Sequence, residues 1–221
     1  MLRILAGLWL AAITATGLIA AEEGLVGCWT FDEGSGPTVR DQSGHGNHGT
    51  VKGGAQFVPR GEGYALLLDG KDDYVDCGNG ARLDLTRAVT LEAWIRPESL
   101  PGAEPMVMGK YYDSYGLTHY RDGNFWFYIS GGGNNAKGKA EVGVWSHVVA
   151  TFDGTDMAVY VNHQQLDRHV SKSGEIAHGG SFLMGLTRAN PSATDAGYGP
   201  TSFWRGMLDN VRVYDRALTQ D

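Results

Sequence analysis

The chain is poor in cysteine and short of basic residues. Two cysteines, Cys28 and Cys77, are too few for a zinc module or a disulfide-dense scaffold. Basic residues are outnumbered 18 to 25 by acidic ones, a net charge of −7 that disfavours nucleic acid and anionic membrane surfaces as partners. Helical periodicity with caps is missing, as are internal repeats and linkers. There is no Ser/His/Asp signature and no zinc motif. Ser146 and His147 are neighbours on a predicted strand, so their side chains point to opposite faces. His45 and His48 share an H-x-x-H spacing, but a glycine-rich loop fixes no geometry and no third ligand is near, so they read as exposed loop histidines.

Long apolar runs occur only at the start. Arg3 followed by the apolar run Ile4–Ile19 and small residues at Ala20 and Ala21 reads as a secretory signal over residues 1–20. The run is short for a membrane span and has no basic stop-transfer flank, so no membrane insertion is expected of the mature chain. Residues 21–221 then form one domain outside the cytoplasm, in the periplasm, at the cell surface or secreted. In an oxidising compartment Cys28 and Cys77 are either a disulfide, worth about 2–4 kcal/mol, or two buried thiols acting as small hydrophobes.

What the chain does have is glycine, 33 residues, and many short alternating segments. Val89, Leu91, Ala93 and Ile95 alternate with Thr90, Glu92, Trp94 and Arg96 until Pro97 stops the strand. Comparable runs recur every 8–12 residues from Gly24 to Tyr214, separated by turns such as Asp69-Gly70 and Asp153-Gly154. About a dozen short strands without helices predict an all-β, antiparallel two-sheet sandwich of the jelly-roll kind. The last segment, Leu218–Asp221, breaks off as a helical turn begins and reads as one part of a longer protein.

Three groups of residues stand out. In the closing strand Met207, Val211 and Val213 form an apolar face that Asp209 interrupts, and a carboxylate there needs a partner. The loop Asp41–Gly49 combines three glycines with the oxygens of Asp41, Ser43 and Asn47, which suits calcium but also suits a hairpin held by Asx turns. Residues 106–130 are dense in aromatics. Tyr111, Tyr112, Tyr115, Tyr120 and Trp126, with Asn190, Asp195 and Tyr198 of a long polar loop, are candidates for stacking on and orienting sugar rings. Trp29, Trp94, Trp145 and Trp204 are assigned to packing, since alternate aromatics in strands usually fill the core.

The stretches GLVGCWTFDEGSG, DQSGHGNHGT, LLLDGKDDYVDCG, VTLEAWIRPESL, WSHVVATFDGTDMAVYVN and FWRGMLDNVRVYDRAL, in this order, resemble a LamG-like jelly-roll domain of the concanavalin A-like lectin/glucanase superfamily. The resemblance covers essentially the whole mature chain. It departs at Asn162-His163, where the family usually has Asn-Gly, so His163 must take up the turn geometry. The resemblance implies that first and last strands are neighbours and that the module recognises glycans or proteins outside the cell. Asp209 matches the Asp that helps hold a structural calcium in laminarinase-type β-glucanases. Asp32, Asp41, Asn47 and Asp209 are therefore the candidate Ca²⁺ ligands, the alternative being a salt bridge from Asp209 to Arg40, Arg212 or Arg216. The glucanase E-x-D-x-x-E run is missing and Glu92 stands alone on its strand face, so no catalytic residue is assigned. The expected function is non-catalytic binding of carbohydrate. A protein-binding adhesion module and a polysaccharide-active enzyme of the same superfamily are the alternatives.

Overall fold

Alternation along the chain becomes, in the computed structural model of the protein, two antiparallel sheets packed face to face. The structure describes residues 22–110, 114–130, 135–170, 174–187 and 202–219. The first sheet runs in the order β14 (Gln164–Val170), β13 (Asp156–Val161), β12 (Ser146–Phe152), β7 (Val89–Pro97), β18 (Arg205–Tyr214), β5 (Gly63–Asp69) and β4 (Gln56–Arg60), with β1 (Leu25–Trp29) also paired to β18. The second runs β11 (Asn135–Lys139), β10 (Asn124–Ile129), β9 (Tyr115–His119), β8 (Met106–Gly109), β15 (Leu183–Met184), β6 (Tyr74–Asp76), β3 (Gly49–Lys52) and β2 (Thr38–Val39). A ribbon of β16 (Leu186–Thr187) and β17 (Ser202–Phe203) and one 3₁₀ turn at Ala81–Leu83 complete the described elements. The expected neighbourhood of first and last strands is present as the β1–β18 pair.

The core follows from the period of two. Leu91, Ala93 and Ile95 of β7 and Val148, Ala150 and Phe152 of β12 face Leu117, Phe125, Phe127 and Ile129 of the second sheet. Each fully buried side chain of this size contributes about 1.5–3 kcal/mol. Trp29 and Trp204 are fully buried, and their rings fold back over their own strands. A Cβ at Gly27 would lie 2.5 Å from the Trp29 ring and one at Gly206 2.4 Å from the Trp204 ring, so both positions require glycine. The Trp29 Nε1–H donates to the Asn47 carbonyl at 2.9 Å, and the Trp204 Nε1–H to Nδ1 of His119 at 3.2 Å. His119 is itself buried, stacked on Phe125 at 4.3 Å, and burial pushes its pKa down to about 4.

Two sequence expectations need correction here, and one left open is resolved. Asp209 is not on the core face. Asn210 adopts φ +49°, and the register against β7 shifts between Asp209 and Arg212. This bulge inverts the alternation, so Leu208, Val211 and Val213 point inward while Asp209 lies across from the outward-facing Trp94. Trp94 and Trp145 are not core residues either: they are half-buried around the side chain of Arg60, which lies 5.1 and 4.3 Å from their ring centroids. Cys28 and Cys77 are free thiols. Cys28 pairs with Arg212 across β1–β18, whereas Cys77 sits in the core beside Gly49, so the two sulfurs belong to different layers. Burial raises the pKa of both thiols.

Candidate functional site

The aromatic segment resolves by strand parity. On β10, Phe125, Phe127 and Ile129 enter the core, which turns Asn124, Trp126 and Tyr128 to the outer face of the second sheet. On β9, Tyr115, Leu117 and His119 pair with those core residues, so Thr118 stands opposite Trp126 on the outer face. Tyr120, just beyond β9, stacks on Trp126 with centroids 4.4 Å apart and planes 19° from parallel. Lys137 of β11 is the cross-strand partner of Trp126 and holds its Nζ 4.0 Å from the ring centroid. Both aromatic rings are half-buried and Lys137 is exposed. Asp122 at the turn accepts the Asn124 backbone N–H at 2.9 Å and its side-chain amide at 2.8 Å, bonds that keep its carboxyl below the usual range. The result is a stacked aromatic pair with the Lys137 ammonium over the Trp126 ring and the Asp122 carboxylate and Asn124 amide in the adjoining turn.

Tyr120 and Trp126 are thus brought together as proposed for a stacking surface. Tyr115 is not part of it: the side chain is fully buried and its hydroxyl donates to the Leu83 carbonyl at 2.8 Å. Tyr111, Tyr112, Asn190, Asp195 and Tyr198 lie outside the described residues.

The four calcium candidates fall into three separate environments. Asp41 accepts the backbone N–H groups of Cys28, Ser43 and Asn47, each at 2.9 Å, and ties the glycine-rich loop to β1. Asn47 donates to the Val26 carbonyl at 2.8 Å. Asp32 is exposed and accepts the Tyr64 N–H at 3.1 Å. Asp209 is paired with the Arg60 guanidinium, none of the three arginines expected from sequence, and also accepts from the Asn210 side chain at 3.1 Å. Burial pushes the Asp209 carboxyl upward and Arg60 opposes it. Among the described residues, the set of three acidic, His or Cys ligand atoms lying within 4.8 Å of one another is Asp69, Asp72 and Asp73, which excludes every candidate. Oxygens already committed to backbone amides and a guanidinium do not fit a calcium site of six to eight ligands.

The outer face of the first sheet carries a group of residues that sequence reasoning missed. Glu92 of β7 accepts from Nε2 of His147 at 2.8 Å and lies 3.2 Å from the Tyr214 hydroxyl. Burial alone would raise the Glu92 carboxyl, but His147, Arg212 and Tyr214 together bring it below its ordinary value. The Tyr214 hydroxyl also lies 2.9 Å from Glu22. Both carboxylates thus lie within hydrogen-bond reach of one phenol hydroxyl. The only sequence signal for this group was the lone Glu92 in an otherwise regular strand.

The matching family is the one whose model is described as the concanavalin A-like lectin/glucanases superfamily, over residues 69–221. The chain belongs to this superfamily. Comparison with curated protein sequences gives no match. Among solved structures, this laminin-G-type sandwich is similar to domain 4 of AbnA, an extracellular arabinanase of Geobacillus stearothermophilus determined with arabinotriose, with 19% identity, TM-score 0.66, and coverage of 90% of this chain and 96% of that one. It is also similar to the binding domain of Paraclostridial Mosquitocidal Protein 1, at 16% identity and TM-score 0.69 over 89% of this chain and 50% of that one. Trypanosoma rangeli sialidase, in complex with sialic acid, matches at 20% identity and TM-score 0.66, over 89% of this chain and 31% of that one. The chain therefore spans half or less of the toxin and sialidase chains. At these identities the likeness is one of fold.

Proposed function

We propose that the chain is a non-catalytic carbohydrate-recognition module that works outside the cytoplasm, with residues 1–20 as its export signal. The observation that carries this reading is the Tyr120–Trp126 stack on the outer face of the second sheet, edged by Lys137, Asp122 and Asn124. Tyr120 and the Lys137 ammonium both lie over the Trp126 ring, so the C–H face of a sugar would take the place of Lys137 on that ring, with the displaced cation, Asp122 and Asn124 as hydroxyl partners. The likeness to an arabinanase domain determined with arabinotriose, to a toxin binding domain and to a sialidase supports the same class of ligand. The non-catalytic reading rests on the missing E-x-D-x-x-E run.

The test is retention of the purified mature chain on insoluble polysaccharides, arabinan among them, and on a glycan array. Trp126→Ala is expected to lower affinity at least tenfold, the equivalent of about 1.4 kcal/mol. Its melting temperature should stay close to that of the parent, because the ring is only half-buried. Unchanged glycan binding in Trp126→Ala, or binding to a protein ligand alone, would reject the platform.

A further inference from the structure

A cavity of ≈ 230 Å³ opens on the outer face of the first sheet, lined by Glu92, His147, Val149, Thr151, Tyr160, His163 and the segment Leu218–Thr219. Three strands and the tail build it. His147, Val149 and Thr151 are successive outward positions of β12, with Glu92 of β7 on one side and Tyr160 of β13 on the other. The tail is tied to β7. The Leu218 N–H donates to Oγ1 of Thr90 at 3.0 Å, and that hydroxyl donates to the Arg216 carbonyl at 2.7 Å.

The rim holds a residue that the backbone resists. Asn162 and His163 form the turn between β13 and β14 with φ +50° and +66°. Two positive φ values define a turn in which glycine is strongly favoured at the second position, so a histidine there is held against its own preference. The turn is fastened to the cavity: Asn162 N–H donates to the His147 carbonyl at 2.8 Å, and Asn162 Oδ1 accepts the His147 N–H at 3.0 Å. The His163 ring lies 5.4 Å from that of His147. Strain kept at the mouth of a cavity points to a role in binding.

The lining selects the ligand. The Glu92 carboxylate is oriented by His147 and Tyr214, and each of its oxygens retains acceptor capacity. Arg212 already faces its charge, so a charged ligand is not needed for balance. Thr151, Tyr160 and Thr219 add hydroxyls around an apolar patch of Val149 and Leu218. The volume falls below the roughly 300 Å³ at which pockets for drug-sized ligands begin, which leaves room for a single ring. We propose that this cavity is a second saccharide site, separate from the aromatic platform, that takes one neutral sugar ring with Glu92 as hydroxyl acceptor and His163 as its rim contact.

The experiment is an amide-resolved NMR titration of the mature chain with the methyl glycosides of arabinose, xylose, glucose, galactose, mannose and fucose. At least one should give saturable shifts centred on His147, Thr151, Tyr160 and His163. Glu92→Gln should weaken that binding at least tenfold. His163→Gly should also weaken it at least tenfold while raising the melting temperature, a combination that a purely structural histidine would not produce. No saturable shift at these amides, or undiminished binding in His163→Gly, would overturn the proposal. Polymer retention through Trp126 is a separate readout, so either site can fail without the other.

Discussion

Asp209 and Arg60 are separated by 149 positions in the chain, yet the guanidinium closes on the carboxylate while lying between the Trp94 and Trp145 rings. Removal of the cation leaves a nearly buried carboxylate with only the backbone N–H and side-chain amide of Asn210 as partners. Arg60→Ala is therefore expected to destabilise by about 2–3 kcal/mol in urea unfolding, below the 3–5 kcal/mol of a fully buried pair because Arg60 keeps some exposure. The double variant Arg60→Met with Asp209→Asn should recover most of that loss. His119 gives a second residue-level prediction. Its folded pKa of about 4 lies below its ordinary 6.5, so the unfolded chain binds the extra proton first. This contribution is fully present above pH 6.5 and is lost as pH falls towards 4, an expected drop of about 3 kcal/mol. His119→Gln should flatten that stability slope in acid unfolding curves. Both cases show the limit of one-dimensional reading. The need of Asp209 for a partner was legible from its place in an apolar pattern, but the partner came from a hairpin edge that no local spacing links to it.

At the scale of elements the long strands such as β7 and β12 were legible because each alternates over seven or more residues, whereas strands of two residues such as β2, β15 and β16 are too short to show a period. Parity was less legible. Tyr115 and Trp126 both sit in aromatic-rich strands, and only the pairing of Tyr115 with Ile129 sends one to the core and leaves the other outside. In β18 the single extra residue at Asn210 reverses the face of everything before it. Asn tolerates φ +49° and bonds the Asp209 carboxylate, whereas a β-branched residue does neither. Asn210→Val should cost about 1–2 kcal/mol in thermal or urea unfolding. Deletion of Asn210 should be tolerated, since Val211 then stands opposite Ala93 and regular alternation keeps Leu208 inward and Asp209 opposite Trp94. A retained cooperative transition is the expected result. Loss of that transition would show that the bulge does more than absorb one extra residue.

At the scale of the molecule, the ordered set of weak motifs identified the sandwich because order and spacing carry the topology, whereas the ligand sites depend on which groups meet across strands. Calcium is the instructive case. The resemblance carried Asp209 to a metal-ligand role, but here an arginine supplies the positive charge and the glycine-rich loop uses Asp41 to bind its own amides. A site with a Kd near 1 µM at 100 µM free calcium would add about 2.7 kcal/mol, several degrees in a domain of this size. The expected outcome for the mature chain is that EDTA and excess calcium give superimposable melts. Arg60→Ala sharpens the comparison, because it vacates the place beside Asp209 without touching the other carboxylates. If the guanidinium stands where an ion could, this variant and not the parent should regain part of its lost stability on adding calcium. A calcium-dependent shift in the parent would mean that the ion enters despite Arg60, and the pairing of Asp209 described above would have to yield to it.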